Sequence, residues 1–186
     1  LGVTPSLTPG TMGLIASPSG TSQPAIVTPP QNTIGCPAGA SLSVTASGNV
    51  LSYQWQKETS PGSGLYAPLT DGPTGNGSTI SGAQLATLQI ASARSGDDGR
   101  YNVIATNACG TITSTPASLS TCTSDLSCDQ QVDDADFVLF ATAYDLLVCD
   151  DPNMPAGCPS DLNGDSQVDD ADFVIFASAY DAFLCS

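Results

Sequence analysis

Two stretches of this chain are one unit written twice at an offset of 36 residues: CTSDLSCDQQVDDADFVLFATAYDLLVC from Cys122 and CPSDLNGDSQVDDADFVIFASAYDAFLC from Cys158. In the second copy oxygen donors recur at Asp161, Asn163, Asp165, Asp169 and Asp172, positions 1, 3, 5, 9 and 12 of a twelve-residue loop, while Gln167 at position 7 offers its backbone carbonyl. The first copy places Asp125, Ser127, Asp129, Gln131, Asp133 and Asp136 at the same six positions. This spacing wraps a chain around one hard cation, because Ca2+ takes roughly six to eight oxygen ligands at about 2.3–2.6 Å. Four carboxylates held so close repel one another, and a divalent ion is the simplest relief. A single loop of this kind could be an acidic solvated face. Two in register, with Val132 and Val168 both at position 8, argue for two Ca2+ sites. Position 6 is Gln130 or Ser166 where glycine is usual, and position 12 is Asp where Glu is usual. The first site, with Ser127 for Asn163 and Cys128 for Gly164, is expected to be the weaker.

Each loop runs into a segment that must hold it. Asp133 and Asp169 are placed to cap a helix, with Asp136 and Asp172 three residues on. Phe137, Phe140, Ala141 and Tyr144, repeated as Phe173, Phe176, Ala177 and Tyr180, form an apolar stripe at helical spacing. The two stripes are expected to pack on each other in a pseudo-symmetric core; exposed recognition stripes are the alternative. No helical pattern precedes either loop.

The rest of the chain reads differently. Residues 1–35 are mostly Thr, Ser, Pro and Gly, a composition that forms no core by itself. They read either as a flexible or O-glycosylated linker, or as an extended arm whose Leu14, Ile15, Ile26 and Val27 add a strand to a neighbouring sheet edge. From Gly39 onward short alternating runs follow: Leu42, Val44 and Ala46 on one strand face, Leu51, Tyr53 and Trp55 on the next, Leu88 and Ile90 on another, then strands over about 100–106 and 111–119. The stretch from Thr59 to Asn76 reads as long loops and a hairpin edge. Short strands at this spacing predict an all-β sandwich over residues 36–121, with the end of the arm available as its first strand, and a small α-helical calcium module over 122–186.

Charge divides the chain at the same place. It has 186 residues, 3 Lys+Arg against 18 Asp+Glu and no His, a formal charge of −15. Residues 125–186 hold fourteen Asp and no basic residue, whereas 1–124 set Glu58, Asp71, Asp97 and Asp98 against Lys57, Arg94 and Arg100. Such a chain cannot neutralise phosphates, so nucleic acid and anionic membrane surfaces are excluded as principal partners. No apolar run approaches the roughly 20 residues that span a bilayer. Without His, and with one Lys and one Glu, most acid–base and nucleophilic machinery cannot be assembled, so no enzyme is expected. Seven Cys without a CxxC pair point to disulfides and an oxidising, extracellular setting, with any signal peptide already removed. Pairing Cys122 with Cys149 and Cys158 with Cys185 would staple each loop to its own helix and leave Cys128 over.

Two resemblances sit on these residues. YQWQK around Trp55, followed by ATLQIASARSGDDGRYNVIATNACG with Asp97, Gly99 and Tyr101 in D-x-G-x-Y order, resembles an immunoglobulin-like domain of bacterial surface proteins over about residues 24–120. That implies a Trp packed between two sheets and a Tyr whose hydroxyl turns back to the preceding corner. Val44 and Val103 stand where the family's usual inter-sheet disulfide would lie. Cys36 and Cys109 are then the module's natural pair, although strand counting puts them at opposite ends, so they pair within the chain or join different molecules. The tandem loop-then-helix units with the linker Asp150–Gly157 resemble a type I dockerin over 122–186. In that family positions 10 and 11 contribute to partner recognition, here Asp134, Ala135, Asp170 and Ala171.

Together these readings predict a non-catalytic, calcium-binding extracellular structural protein that mediates protein–protein assembly at the cell surface or in an extracellular polymer, its partner being either copies of itself or a surface receptor. The alternative is an attachment module docking a larger secreted protein to a cohesin-like surface receptor. Asn76-Gly77-Ser78 is a sequon for a glycan.

Overall fold

The computed structural model describes residues 22–50, 52–180 and 185. Its strands are β1 (Ala25–Thr28), β2 (Thr33–Gly35), β3 (Gly39–Ser43), β4 (Thr45–Ser47), β5 (Ser52–Glu58), β6 (Tyr66–Pro68), β7 (Gly72–Pro73), β8 (Thr79–Ser81), β9 (Thr87–Ala91), β10 (Gly99–Asn107), β11 (Gly110–Thr113) and β12 (Ala117–Thr121). One sheet runs β2-β12-β10-β5-β6 with β11 also on β10, a second runs β3-β9-β8-β7, and β1 and β4 form a two-stranded third. All pairs are antiparallel except β2 with β12. Alternation makes the core: Leu42, Leu88 and Ile90 from one sheet meet Trp55, Tyr101, Val103 and Leu119 from the other, each at most 2 % exposed. Trp55 lies opposite Val103 in register, and its indole N–H donates to the Leu85 carbonyl at 2.9 Å. Val44 and Val103 share this apolar core, so it is closed by packing at the positions where a disulfide would cross it. The sandwich is immunoglobulin-like in these features.

Three local expectations are corrected. The run read as one strand over Leu42–Ala46 divides, since β3 pairs β9 while β4 turns away to pair β1. The run over 111–119 also divides, at Ser114–Pro116: Ser114 donates its amide to the Val103 carbonyl at 2.9 Å and its hydroxyl accepts from the Val103 amide at 3.1 Å. Ile26 packs against the core of the chain's own sandwich and Val27 is exposed, so this end of the arm is β1. Leu14, Ile15 and Leu51 lie outside the described residues.

At the corner before β10 the Tyr101 hydroxyl donates to the Asp97 carbonyl at 2.5 Å. The buried Asp97 carboxylate accepts from the Ser78 hydroxyl at 2.8 Å, the Asn76 amide at 3.2 Å and the Arg94 backbone N–H at 2.9 Å. The sequon is therefore part of a packed node, with Ser78 buried and the Asn76 nitrogen engaged. Burial, reinforced by Asp97 and Asp98, holds the Tyr101 phenol well above its ordinary range. A phenol raised in the folded state stabilises below its unfolded pKa of about 10 and loses that contribution as pH rises beyond it. Tyr101→Phe is expected to lower stability at pH 7 by about 1–2 kcal/mol through the lost hydrogen bond. It should also flatten the decline above pH about 10, as followed by thermal unfolding across pH; an unchanged alkaline slope would count against this account.

The disulfides differ from every expected pairing. Cys36 bonds Cys128, Cys122 bonds Cys185 and Cys149 bonds Cys158, with Cα atoms 5.5, 5.2 and 5.4 Å apart. Cys109 stands outside these bonds, so the Cys36–Cys109 pairing is replaced by a tie between the sandwich and the first acidic loop. The two repeats are cross-linked to each other and not each to itself, and the chain leaving the first repeat's helix runs beside the loop of the second.

Candidate metal centre

Among the described residues the acidic module holds α1 (Asp134–Tyr144) and α2 (Asp170–Tyr180), each directly after its loop. Asp133 caps α1 by accepting from the Ala135 amide at 2.8 Å, while the Asp136 carboxylate accepts from the Asp133 amide at 2.9 Å. The second repeat makes the same pair, Asp169 with the Ala171 amide at 2.8 Å and Asp172 with the Asp169 amide at 3.0 Å. The expected caps are thus present twice.

Inside each loop the carboxylates turn inward because backbone amides hold them. Asp161 is 6 % exposed and accepts from the amides of Gly164, Asp165 and Ser166 at 2.7–3.1 Å. Asp172 is fully buried and accepts from Leu162 and Asn163 as well as Asp169. Asp165 accepts from the Gln167 amide at 2.9 Å, and Asn163 accepts from the Asp165 amide at 2.8 Å. The result gathers carboxylate oxygens of Asp161, Asp165 and Asp172 within 4.8 Å of one another, a spacing that suits a shared cation. In the first loop Asp125 accepts from the Asp129 and Gln130 amides at 3.0 and 2.8 Å, and Asp136 from the Ser127 amide at 2.7 Å. Gln131 donates its amide to Asp129 at 2.9 Å, and Asp133 stays on the loop rim as the cap. The Ser127 hydroxyl lies 3.4 Å from Asp125, turned toward the same centre.

The position-6 residues show what the missing glycine does. Gln130 and Ser166 both have φ 72°, a left-handed conformation that disfavours a side chain by roughly 1–2 kcal/mol. At position 4 Gly164 has φ 81°, while Cys128 has φ 63° and is locked to Cys36. The first loop therefore carries two side chains in left-handed backbone and the second carries one.

The repeats are related by a pseudo-two-fold axis that shows in their contacts. Phe140 and Phe176 stack 5.0 Å apart at 23°, over the buried position-8 residues Val132 and Val168. Tyr144 donates its hydroxyl to Asp170 at 2.5 Å, and Tyr180 donates to Asp134. These hydrogen bonds raise both phenols above their ordinary range. The segment after α1 lies along the second loop, where the Val168 amide donates to the Leu147 carbonyl at 2.9 Å and the Cys149 amide to the Ser166 carbonyl at 3.2 Å. That short bridge leaves the Gln167 carbonyl out of the ladder. Each cross-repeat disulfide then sits against a position-1 carboxylate, with Cys149 sulfur 3.7 Å from Asp161 and Cys185 sulfur 3.9 Å from Asp125. Both sulfurs are held in disulfides, Cys149 with Cys158 and Cys185 with Cys122, so they are not metal ligands.

The apolar stripes divide between the two readings made of them. Phe140 and Phe176 are buried, but Phe137 and Phe173 remain 44 % and 42 % exposed and Ala141 is exposed, with Ala143 buried in its place. Phe137 and Phe173 separate two related clefts of about 390 and 400 Å3, one reaching Asp134 and Tyr180, the other Asp170 and Tyr144. Asp134, Ala135, Asp170 and Ala171 are exposed at the helix starts. The tyrosine–aspartate bonds and the Cys36 tie escaped the sequence reading; the first had a signal, since Tyr144 and Tyr180 share a repeat position as Asp134 and Asp170 do.

No protein-family model matches the sequence, and no curated protein matches it. Among solved structures, the chain is similar to the N-terminal Ig1-2 module of the Drosophila receptor protein tyrosine phosphatase DLAR, at 22% identity and TM-score 0.41 over 58% of this chain and 49% of that one. It is similar to the titin M3 domain at 22% identity and TM-score 0.39, over 53% of this chain and 96% of that one. For the N-terminal four Ig domains of a Dscam1 isoform the identity is 18% and the TM-score 0.46, over 56% of this chain and 26% of that one. The chain thus spans about half the length of the DLAR module, and about a quarter of the Dscam1 fragment.

Proposed function

We propose that this protein is a non-catalytic, calcium-binding structural protein of the cell exterior that acts in protein–protein assembly. The observation that carries the reading is the gathering of Asp161, Asp165 and Asp172 in the second loop, with the first repeat copying the backbone-amide bonds at Asp125 and Asp136. Asp161, Asn163, Asp165, Asp169 and Asp172 with the Gln167 carbonyl would hold one Ca2+; Asp125, Ser127, Asp129, Asp133 and Asp136 with the Gln131 carbonyl would hold the other. The ion would supply charge neutralisation and cross-linking of loop to helix, not chemistry on a substrate. Three disulfides suit an oxidising compartment, and no helix of the described residues is long and apolar enough to cross a membrane.

The partner is either a further copy of the chain or a separate surface receptor. The second reading, a dockerin-type attachment module for a cohesin-like receptor, is favoured by the exposed Phe137–Phe173 face between its two clefts. Calorimetric titration of the chelator-treated protein with Ca2+ should show two bound ions per chain, and uptake of none would sink the calcium reading. Size-exclusion chromatography of the pure protein in calcium then separates the partners: growth into larger species supports self-assembly, whereas a persistent monomer removes it and leaves the receptor.

A further inference from the structure

Arg94 is one of only three cations in the chain, and it belongs to the sandwich, in the turn after β9. Its base is fixed, since its backbone N–H donates to Asp97. Its side chain is packed, because a Cβ placed on Gly77 would come within 3.2 Å of its Nε. The guanidinium then leaves the sandwich altogether. Nη1 donates to the Asp161 carbonyl at 2.9 Å and Nη2 to the Gly157 carbonyl at 3.2 Å. In a module with fourteen aspartates, this arginine is aimed at backbone carbonyls. One is the carbonyl of loop position 1. The other opens the turn that delivers it, where the Cys158 amide donates to Pro155 and the Asp161 amide to Cys158.

From this geometry we infer that Arg94 is a positioning residue for the second calcium loop, so that calcium uptake there and docking of the sandwich on the acidic module favour each other. The inference rests on the calcium reading above. A planar fork holding two carbonyls fixes the direction of a short turn in a way that a point charge does not. The first loop is tied to the sandwich by other means, the Cys36–Cys128 bond at position 4 and the Cys122 amide on the Gly35 carbonyl at 2.8 Å. Both loops are thus held from outside their own repeats, one covalently and one through Arg94. Linkage makes the coupling reciprocal: whatever the docked sandwich adds to calcium affinity, calcium adds to docking.

The sign of the effect separates positioning from plain electrostatics. A cation near a Ca2+ site repels the ion, so if Arg94 acted through charge alone its removal would tighten binding. If it positions Asp161, removal loosens binding. Calorimetric titration of Arg94→Gln is expected to weaken the second site by about fivefold or more, the lower end of ordinary coupling, while the first site keeps its affinity. Arg94→Lys, which keeps the charge and loses the fork, is expected to weaken it as well. Hydrogen exchange gives the reciprocal readout: calcium should slow exchange across Ser92–Asp97, outside both loops, in the unmodified protein and not in Arg94→Gln. The single tryptophan, Trp55 in the sandwich core, reports that each variant is folded. Unchanged or tighter binding in Arg94→Gln, or wild-type binding in Arg94→Lys, overturns the inference while the calcium reading stands. No calcium uptake by the unmodified protein overturns both.

Discussion

Asp172→Ala is expected to lose about 3–5 kcal/mol and to unfold the second loop with its helix, the largest effect of any single substitution in the acidic module. The Asp172 side chain is fully buried and accepts from three amides, Leu162, Asn163 and Asp169, at 2.8–3.0 Å. Alanine strands all three donors away from water, removes the acceptor of the Asp169 amide that braces the cap of α2, and would take one oxygen pair from the proposed Ca2+ site. Asn at the same position is close in shape but presents an N–H2 where one oxygen now accepts, so it too should lose stability. Asp170 is the matched control. It is exposed at the first position of the same helix, where it accepts from the Tyr144 hydroxyl, so Asp170→Ala should stay within about 0.5 kcal/mol. Helical circular dichroism through a thermal ramp in calcium reads the stability, and calorimetry should show the ion count fall from two to one. A loss for Asp172→Ala under about 1 kcal/mol would mean that the amide cage is not what holds this loop.

How much of this the sequence could show depends on which interactions are local. The turns of the loops were legible because the aspartates and the loop amides they accept from lie within twelve residues and recur 36 residues later, and the caps at Asp133 and Asp169 because a capping residue and its amides are neighbours. The sandwich was legible through Trp55, Tyr101 and the alternation of its strands. Strand division at Ser114 was not, because it depends on a hydroxyl bonding Val103 on another strand. The exposure of Phe137 and Phe173 was not legible either. Residues of an apolar stripe lie on one side of a helix, but how far the second helix covers each depends on where the helices cross. At the stacked Phe140–Phe176 pair the crossing covers the middle of each stripe and leaves its first residue at the edge.

Cysteine pairing is the sharpest instance. Repetition of the unit implies that its disulfides are equivalent, and pairing within units satisfies that. Pairing between units satisfies it equally well, because exchange of the two repeats carries Cys122–Cys185 into Cys158–Cys149. Only the path of the chain after α1, along the second loop at Leu147–Cys149, decides between them. Cys128 adds a second lesson. Its repeat counterpart is Gly164, so it looked surplus, yet breaking the repeat is what lets the first loop bond to Cys36.

The two pairings make different quantitative predictions for removing the bonds one at a time. Within units, both would close loops of equal length, 27 residues by subtraction (149 − 122 and 185 − 158), and deletion of either should cost about 3.5 kcal/mol on the chain-entropy estimate. In the structure the separations are 63 for Cys122–Cys185 and 9 for Cys149–Cys158. The same estimate gives about 4 kcal/mol for the first and about 2.5 kcal/mol for the second. Cys122→Ser with Cys185→Ser is therefore expected to destabilise the acidic module more than Cys149→Ser with Cys158→Ser, by about 1.5 kcal/mol. Under pairing within units each of these double substitutions would instead destroy both bonds and leave two stray thiols. Thiol counting on the unfolded variants makes that distinction without any energetic model, since the structure requires that neither double substitution release a new thiol. Denaturant unfolding in calcium then reads the energies. Equal losses, or two new thiols in either variant, would show that the chain after α1 does not cross to the other repeat.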